Sequence, residues 1–402
     1  MDKNHDTCAP RGWSNDARPS RDGREWRRHP PPIIVGVGSA GVDYLASIAS
    51  FPEPDAKLRT DSFDTQGGGN CGNALTATAR LGCAPRIITK LSDDGIGKAI
   101  IDEFELDGVN TDAVVVDPGK TSPFTYIIVD RAGSTRTCIH TPGPEFDESE
   151  ITDAQIETVL TGAKLAYFDG RLTEVAIKVA LKAREMDIPV LVEGERLRDN
   201  LDKLLQLGDY VCTSAGYPKD ATGENDTETA MVKMLSELPR AKSLCTTLGS
   251  RGAVLVERVD EWEEDVKSAT LKKLLTSLET EAKSGDAASS KEKDTSDVPL
   301  PAVPKTSSVV YLTDAGDEAT AKLGPVRVTF APAAKMSAEQ IVDTTGAGDS
   351  FIGSFCFGIA TGMALPNAMR LGAYVAARKC TALGARPGLP TRVTVPSELF
   401  EG

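Results

Sequence analysis

The chain has 402 residues, of which 26% are charged and 40% are hydrophobic, and its formal net charge is −14. It is long enough for one large domain with a substantial core, and its negative charge argues against nucleic acid or an anionic membrane as the main partner. Because no apolar run approaches the roughly 20 residues that span a bilayer, we expect no membrane-spanning segment.

Residues 1–31 mix arginine, aspartate, proline and glycine without periodicity, which predicts a disordered tail. The tail contains several acids and no apolar core, so it matches neither a secretory signal nor a typical organelle transit peptide, and we expect a cytoplasmic protein. Eight scattered cysteines without a C-x-x-C pair indicate reduced thiols, not disulfides or a zinc site. Three histidines are too few to favour a histidine-based metal or triad site.

The folded domain is predicted over residues 32–402 and begins with a buried strand at 32–38. Residues 36–41 then fit the pattern G-x-G-x-x-G, which occurs in dinucleotide sites. That fingerprint needs a helix that begins in the turn, whereas Asp43 follows at once and prolines interrupt the stretch after it. We therefore interpret the segment as a strand end that places Asp43 at the carboxyl edge of the sheet, where ligands of open α/β folds bind.

A glycine-rich segment follows at 67–73, before the helix-like stretch 74–82. Its three consecutive glycines let the backbone approach a ligand closely, and the spacing of Asn70 and Asn73 puts both on one face of a helix start. Neutral amides of this kind suit sugar hydroxyls better than phosphate. An ordinary glycine-rich turn explains the segment equally well when it is taken alone.

Short apolar runs separated by helical patterns indicate a parallel sheet covered on both faces. These runs lie at 86–88, 113–116, 165–168, 189–192, 210–212 and 253–256. Alternating residues at 57–66 and 122–140 predict a small β lid of antiparallel strands over the carboxyl edge of the sheet. Between 258 and 307 the composition shifts to charged residues, serine and proline, which predicts a disordered surface insertion. Within it, one short amphipathic helix fits the spacing of Leu271, Leu274, Leu275 and Leu278.

Residues 343–349 read Asp-Thr-Thr-Gly-Ala-Gly-Asp and open the apolar run 350–357. The pattern predicts a tight turn into a buried helix, whose unpaired amides and positive dipole end suit a phosphate or a developing anion. Asp349 beside this site fits a base that takes a proton from a hydroxyl during phosphoryl transfer. An aspartate at a helix start is also an ordinary N-cap, and the upstream glycine-rich segment is what favours catalysis here.

Together the two glycine motifs resemble the signatures of the PfkB/ribokinase family of small-molecule kinases, over residues 33–257 and 308–392. The ketohexokinase (fructokinase) branch is resembled most, through residues 41–43, 51–59, 135–137, 168–171 and 378–380. The resemblance implies an α/β fold of the ribokinase type, with a doubly wound, mostly parallel sheet, helices on both faces and a small antiparallel β lid. It also implies ATP-dependent phosphorylation of a sugar hydroxyl, with a ketohexose such as fructose favoured.

Other acceptors stay open, because the family changes substrates through lid side chains. They are ribose or another pentose, a nucleoside or pseudouridine, and an inositol. A further alternative is a catalytically inactive sugar- or nucleotide-binding regulator on the same fold. The presence of Asp349 and its glycines favours an active enzyme over that alternative.

The resemblance assigns roles by position. Asp349 matches the catalytic base, and the backbone of Gly346, Ala347 and Gly348 matches the anion hole. The positions that match substrate-binding residues are Asp43, Gly68, Gly69, Asn70, Asn73 and Arg136. The positions that match the nucleotide loop and adenine pocket are Thr247, Gly249, Gly252, Lys379 and Cys380.

Metal ions and partners are implied in the same way. Potassium is implied near Asp343 and Thr345, and Mg²⁺ would accompany ATP, with water-mediated help from Glu193 and Glu195. Many family members carry Asn-x-x-Glu after the strand at 210–212, where this chain has no carboxylate. Magnesium would then be held mainly by ATP phosphates and water. The implied partners are a small sugar and ATP, with a homodimer through the lid.

Overall fold

The computed structural model describes residues 30–133, 135–262, 266–285 and 298–401. The predicted disordered tail lies outside these residues, apart from Pro30 and Pro31. Residues 32–402 form one unit by their internal contacts.

The strands and helices alternate along most of this unit. The strands are β1 (Ile33–Val37), β2 (Gly41–Ile48), β3 (Ser62–Gly68), β4 (Ala84–Ser92), β5 (Asn110–Asp117), β6 (Phe124–Asp130), β7 (Thr135–Thr141), β8 (Ala163–Phe168), β9 (Val190–Gly194), β10 (Tyr210–Ser214), β11 (Ser243–Thr247), β12 (Gly252–Arg258), β13 (Lys267–Ala269), β14 (Lys305–Thr306), β15 (Val310–Leu312) and β16 (Pro325–Pro332). The helices are α1 (Asn70–Arg80), α2 (Gly95–Leu106), α3 (Asp153–Leu160), α4 (Thr173–Glu185), α5 (Leu201–Leu205), α6 (Tyr217–Thr222), α7 (Thr227–Ser236), α8 (Leu271–Gly285), α9 (Asp317–Leu323), α10 (Ala347–Thr361) and α11 (Leu365–Lys379).

The larger sheet is mostly parallel. Its strands follow the order β13-β15-β16-β12-β11-β10-β9-β8-β1-β4-β5, with β14 added to β16. Every neighbouring pair from β11 to β5 is parallel, whereas β12 pairs antiparallel with both β11 and β16. Ile34 packs into one core cluster and Val35 into the other, so both faces of the sheet are covered. The predicted doubly wound α/β fold is confirmed.

The smaller sheet is the lid, with strand order β3-β2-β6-β7. Its outer pairings are antiparallel as predicted, whereas β2 and β6 pair in parallel at its centre. The first lid segment, predicted at 57–66, forms a strand only from Ser62 onward. Asp43 lies on β2 and therefore belongs to the lid, not to an edge of the main sheet as predicted. The chain passes from β1 to β2 without a helix, as expected when the dinucleotide interpretation is rejected.

The insertion is more ordered than its composition predicted. Within 258–307 the structure has the 15-residue helix α8, and residues 263–265 and 286–297 lie outside the described part. Leu271, Leu275 and Leu278 of α8 are buried in a core cluster, because they form an apolar stripe that packs near β16. The prediction of disorder is therefore corrected for residues 266–285, and the predicted short amphipathic helix is present.

The cysteines and the apolar helices were the subject of two predictions from composition. The seven cysteines found there are free, and all but Cys138 are buried. No helix in the described ranges is both long and apolar enough to cross a membrane.

Candidate active site

A cleft of about 920 Å³ separates the lid from the carboxyl ends of the central strands. Its walls include residues that directly follow β1, β8 and β9, together with side chains of lid strands β2, β6 and β7. The first turns of α1 and α10 also line it. The two glycine motifs, far apart in sequence, therefore meet at one cleft.

Asp169, directly after β8, lies behind the cleft and contacts Ser39 and Arg171, which line it. Its carboxylate is almost fully buried and accepts hydrogen bonds from the backbone N–H and hydroxyl of Ser39, both at 2.7 Å. It also accepts the N–H of Cys71 in the first turn of α1 at 3.2 Å. Asp169 therefore fixes the start of α1 against the turn after β1. Asp169 belongs to the ketohexokinase-like stretch 168–171, but its role in holding α1 was not predicted from the sequence.

The three consecutive glycines make room for the protein's own groups. A Cβ on Gly67 would lie 2.0 Å from Nη1 of Arg386, and one on Gly68 would lie 2.6 Å from the carboxyl group of Asp43. Gly69 has φ of 88°, and a Cβ there would lie 2.6 Å from the carbonyl oxygen of Ser39. The prediction that all three glycines approach a ligand is corrected, since Gly69 lines the cleft and Gly68 does not.

Asn70 and Asn73 both line the cleft, as predicted from their spacing. The side chain of Asn70 accepts a hydrogen bond from Arg171 at 3.0 Å and donates to Glu195 at 3.4 Å. Asn73 is buried, and its Nδ2 donates to Oδ2 of Asp349 at 2.8 Å. One amide thus faces a charged pair, and the other contacts the predicted base directly.

The turn before α10 has the predicted form. Gly346 is the N-cap residue with φ of 74°, and a Cβ there would lie 2.7 Å from the Cβ of Ala385. Ala347 donates its N–H back to Thr344, which closes the turn. Within the described chain, the N–H groups of Gly348 and Asp349 donate to no protein acceptor, and the space around Gly348 is open. These two amides are available to an anion.

Asp349 is partly buried in the first turn of α10 and lines the cleft. Burial raises the pKa of its carboxyl to about 6, while the hydrogen bond from Asn73 opposes that rise. Nearby, the charge of Glu195 acts to raise the pKa and that of Arg171 to lower it. A carboxylate with a pKa near neutrality holds a proton more strongly than an exposed aspartate does, which is what a general base needs.

Asp43 faces the same cleft from the lid and is 9% exposed. Burial raises its pKa to about 6, whereas the positive charge of Arg386 and a hydrogen bond with Thr125 act to lower it. Thr125 and His140 occupy the neighbouring positions on β6 and β7. Asp43 is therefore placed to accept a hydrogen bond from a hydroxyl in the cleft.

Arg386 was missed by the sequence analysis, although it lies directly behind the site. Its side chain is buried, and its Nε donates to Oδ1 of Asn73 at 3.0 Å. Its guanidinium also pairs with Glu103 at 3.0 Å and lies over the ring of Phe104. The available signal was a single charged residue within the otherwise uncharged stretch 380–391.

Arg136 joins the lid to the turn before α10. Its guanidinium pairs with Oδ1 of Asp343 at 3.2 Å and donates to the hydroxyl of Thr345. The carboxylate of Asp343 also accepts the N–H and hydroxyl of Thr345 and the N–H of Gly384. Burial acts to raise the pKa of Asp343, but these hydrogen bonds and the charge of Lys379 hold it below its usual value.

This environment does not fit the implied potassium site. Both carboxylate oxygens of Asp343 accept protein donors, and two cationic side chains surround the group. Lys379 is fully buried and donates to the carbonyl oxygen of Asp343 at 2.6 Å, and Cys380 is buried behind the same turn. Lys379 thus stabilises the turn and does not line the cleft, and its implied place near the adenine pocket stays a prediction.

The two glutamates implied for magnesium differ in position. Glu193 is buried, does not line the cleft and accepts the hydroxyl of Tyr167 at 2.5 Å; burial raises its pKa well above the usual value. Glu195 lines the cleft but pairs with Arg171 at 2.9 Å. The described residues contain no group of three ligating side chains that would hold a metal ion. Glu195 is thus the only one of the two that a cleft ligand reaches.

The implied nucleotide loop follows β11, at the same sheet edge as the cleft. Thr247 ends β11, and a short 3-10 turn spans Gly249–Arg251. Gly249 and Gly252 have φ of 60° and 121°, and a Cβ on Gly252 would lie 2.1 Å from the carbonyl oxygen of Ala331. None of these three residues lines the cleft.

Comparison with known proteins agrees with this geometry. The model of the pfkB family carbohydrate kinases matches residues 34–272 and 273–392. Ketohexokinase from Mus musculus is 23% identical over 86% of this chain and 95% of its own length. The bifunctional ribokinase/ribose-5-phosphate isomerase A of Fructilactobacillus sanfranciscensis is 24% identical over 55% of this chain, and the match spans 42% of that longer protein.

A solved structure shows the same fold. The Arabidopsis thaliana ribokinase complexed with ribose and ATP has a TM-score of 0.63 and 20% sequence identity, and the match covers 93% of this chain and all of that one. The family model covers most of the chain, and the cleft brings both glycine motifs together. The chain therefore belongs to the pfkB family of carbohydrate kinases and is a phosphotransferase that acts on sugar-type substrates.

Proposed function

We propose that this kinase transfers the γ-phosphoryl group of ATP to a primary hydroxyl of a ketohexose such as fructose. The observation that carries the proposal is the position of Asp349. Its carboxylate lines the cleft, contacts Asn73 and lies in the helix turn whose Gly348 and Asp349 amides are free. A base and an anion site are thus adjacent, as in-line phosphoryl transfer requires.

The substrate is held between the lid and the start of α1. Asp43 accepts one hydroxyl from above, while Asn70 and Gly69 face the cleft from below. The acceptor hydroxyl points at Asp349, which takes its proton as the oxygen attacks phosphorus. The free amides beside Asp349 then stabilise the charge that spreads over the transferring phosphoryl oxygens. General-base assistance of this kind contributes about 10²–10⁴-fold to the rate.

ATP approaches from the side of the β11 turn in this proposal. Thr247 and Gly249 lie at the sheet edge beside the cleft, and Arg136 reaches from the lid towards the turn before α10. Magnesium enters as the MgATP complex and neutralises phosphate charge, since the described residues present no dedicated metal site. Glu195 is the cleft carboxylate that could orient a water of that complex.

The ketohexose preference rests on segments that resemble ketohexokinase, among them the stretch 168–171. In the structure this stretch supplies Asp169 and Arg171, which support Asn70 and the start of α1. Ribose and nucleosides are the competing acceptors. An ADP-release screen across ketohexoses, aldopentoses, nucleosides and inositols, with wild type and Asp349→Asn in parallel, tests the proposal. Turnover of ketohexoses that disappears in the variant supports it, and turnover only with nucleosides or none at all contradicts it.

We further propose that two copies associate through the outer face of the lid. Tyr44, Phe63 and Tyr126 form a contiguous aromatic surface there, with ring centroids of Tyr44 and Tyr126 5.5 Å apart. Phe63, Tyr126 and Ile139 are at least half exposed, which is unusual for neighbouring large apolar side chains. Light scattering of wild type and Tyr126→Glu tests this pairing, with Leu106→Glu on α2 as control. A monomeric wild type contradicts it.

A further inference from the structure

The guanidinium of Arg386 contacts three parts of the site without reaching the cleft. It is 2% exposed and is not among the cleft-lining residues. Its Nε lies 3.0 Å from Oδ1 of Asn73, and its Nη2 donates to the carbonyl oxygen of Gly68 at 3.1 Å. Its Nη1 pairs with Glu103 at 3.0 Å. One buried cation therefore ties α2, the glycine-rich segment and the C-terminal segment together.

The contact with Asn73 determines which way that amide points. Arginine has only donors, so the amide oxygen of Asn73 must face Arg386. The amide nitrogen must then face Oδ2 of Asp349, at 2.8 Å. The reversed amide would oppose N–H to N–H on one side and oxygen to carboxylate on the other, and both hydrogen bonds would be lost. Only one orientation is compatible with both neighbours.

We propose that Arg386 is a positioning residue of the phosphoryl-transfer site, which acts through Asn73 to aim a hydrogen-bond donor at Asp349 and through Gly68 to fix the substrate segment. This inference rests on the proposed function. A purely structural role would stabilise the backbone whichever way the amide of Asn73 pointed, whereas positioning requires this one orientation.

The charges around the two carboxylates give the inference a measurable consequence. Asp43 is faced by Arg386, Thr125, Glu103 and Asp343, and Arg386 is the cation that lowers its pKa. Asp349 is faced by Asn73, Glu195, Arg171, Asp169 and Glu193. Loss of the Arg386 contacts removes the cation near Asp43 and frees the amide that lowers the pKa of Asp349. Both pKa values then rise, and the acidic limb of the rate profile moves to higher pH.

The test compares Arg386→Lys and Arg386→Gln with Glu103→Gln in the full-length enzyme. Lysine keeps the buried charge but cannot donate to Asn73 and Gly68 in the same fork geometry. We expect kcat to fall about 10–100-fold in both Arg386 variants. The acidic limb of kcat/KM should move to higher pH in both, and further in Arg386→Gln, which also removes the positive charge near Asp43. Glu103→Gln removes the ion pair between Glu103 and Arg386 but leaves the contact of Arg386 with Asn73 in place. Since the charge of Glu103 raises the pKa of Asp43, the acidic limb of this variant stays where it is in wild type or moves to lower pH.

A double-mutant cycle with Asn73→Ala separates positioning from bracing. If Arg386 acts through Asn73, Arg386→Lys costs much less kcat in the Asn73→Ala background than in wild type. Provided that the wild-type enzyme is active, two results overturn the inference. One is an equal loss of kcat in the two backgrounds, and the other is an Arg386→Lys variant whose acidic limb lies at the same pH as that of wild type. An inactive wild type across all acceptors instead overturns the proposed function and this inference with it. If Arg386→Gln does not fold, the lysine variant alone decides.

Discussion

Asn73 and Asp349 are 276 residues apart in the chain, and Nδ2 of the first lies 2.8 Å from Oδ2 of the second. This hydrogen bond joins the glycine-rich segment at the start of α1 to the turn at the start of α10. A substrate held by the first motif is thereby held against the base of the second. The contact also opposes the rise that burial imposes on the pKa of Asp349.

Activity should fall on the acid side with an apparent pKa of about 6. The pKa values of Asp349 and Asp43 are both raised to about 6 by burial, and both must be ionised to accept a proton or a hydroxyl hydrogen bond. Protonation as the pH drops through 6 therefore removes activity, and above about pH 7 the rate is flat with respect to these groups. The pH profile of kcat/KM for the free enzyme measures this. An acidic limb centred near pH 4 would mean that neither buried carboxyl controls turnover.

Gly69→Ala should destabilise the protein more than Gly108→Ala does. Both glycines have positive φ, at 88° and 80°, so alanine is strained at each. Gly69 also has ψ of 131°, outside the left-handed helical region. At Gly69 the new Cβ also meets the carbonyl oxygen of Ser39 at 2.6 Å, whereas nothing lies within 4 Å at Gly108. Urea unfolding of the two variants measures the difference in their free energies of unfolding. Equal losses of unfolding free energy would contradict the close contact.

Arg136→Gln should lower kcat/KM by about tenfold or more, because it removes the contacts of β7 with Asp343 and Thr345 in the turn before α10. Arg131→Gln is the matched control on the same lid. Arg131 pairs with Asp61 at 2.6 Å, but both side chains are exposed and far less is expected of such a pair. Steady-state kinetics with varied ATP measures both. A control that loses as much as Arg136→Gln would show that lid charge in general, and not this contact, matters.

Leu275→Ala should lower the free energy of unfolding by about 2–4 kcal/mol and leave kcat unchanged. Leu275 is buried in α8, the helix within the charged insertion. Leu274 on the same helix is only partly buried, so Leu274→Ala should lower the free energy of unfolding by less. Chemical denaturation compares the two. A negligible cost for Leu275→Ala would mean that α8 contributes nothing to the core.

The strands of the main sheet and the turn before α10 could be predicted because local sequence patterns determine them. Apolar runs such as 165–168 and the glycine turn before α10 report on the backbone near them, and the structure has them in place. The lid strand β2 was missed because its residues Gly41–Ile48 read as a continuation of β1. The leucine spacing predicted α8, but the composition of 258–307 did not reveal its burial, which depends on β16 far along the chain.

The largest gap concerns partners distant in sequence. Arg386 contacts Asn73 across 313 residues, and no local pattern reports such a pairing. Lys379 likewise has a family-like position, yet its ammonium group is taken by the carbonyl oxygen of Asp343. Residue type and spacing therefore predicted the base and the amides, whereas the residues that orient them required the fold.

The kcat of Asp349→Asn, measured with saturating MgATP and acceptor, tests the central claim most directly. The variant should fold, bind ATP as wild type does, and melt at an equal or higher temperature near pH 8, because ionising a carboxyl whose pKa is raised costs stability above that pKa. If Asp349 is the general base, we expect kcat to fall by about 10²-fold or more. A variant that keeps more than about a tenth of the wild-type rate would contradict the assignment of Asp349 as the base.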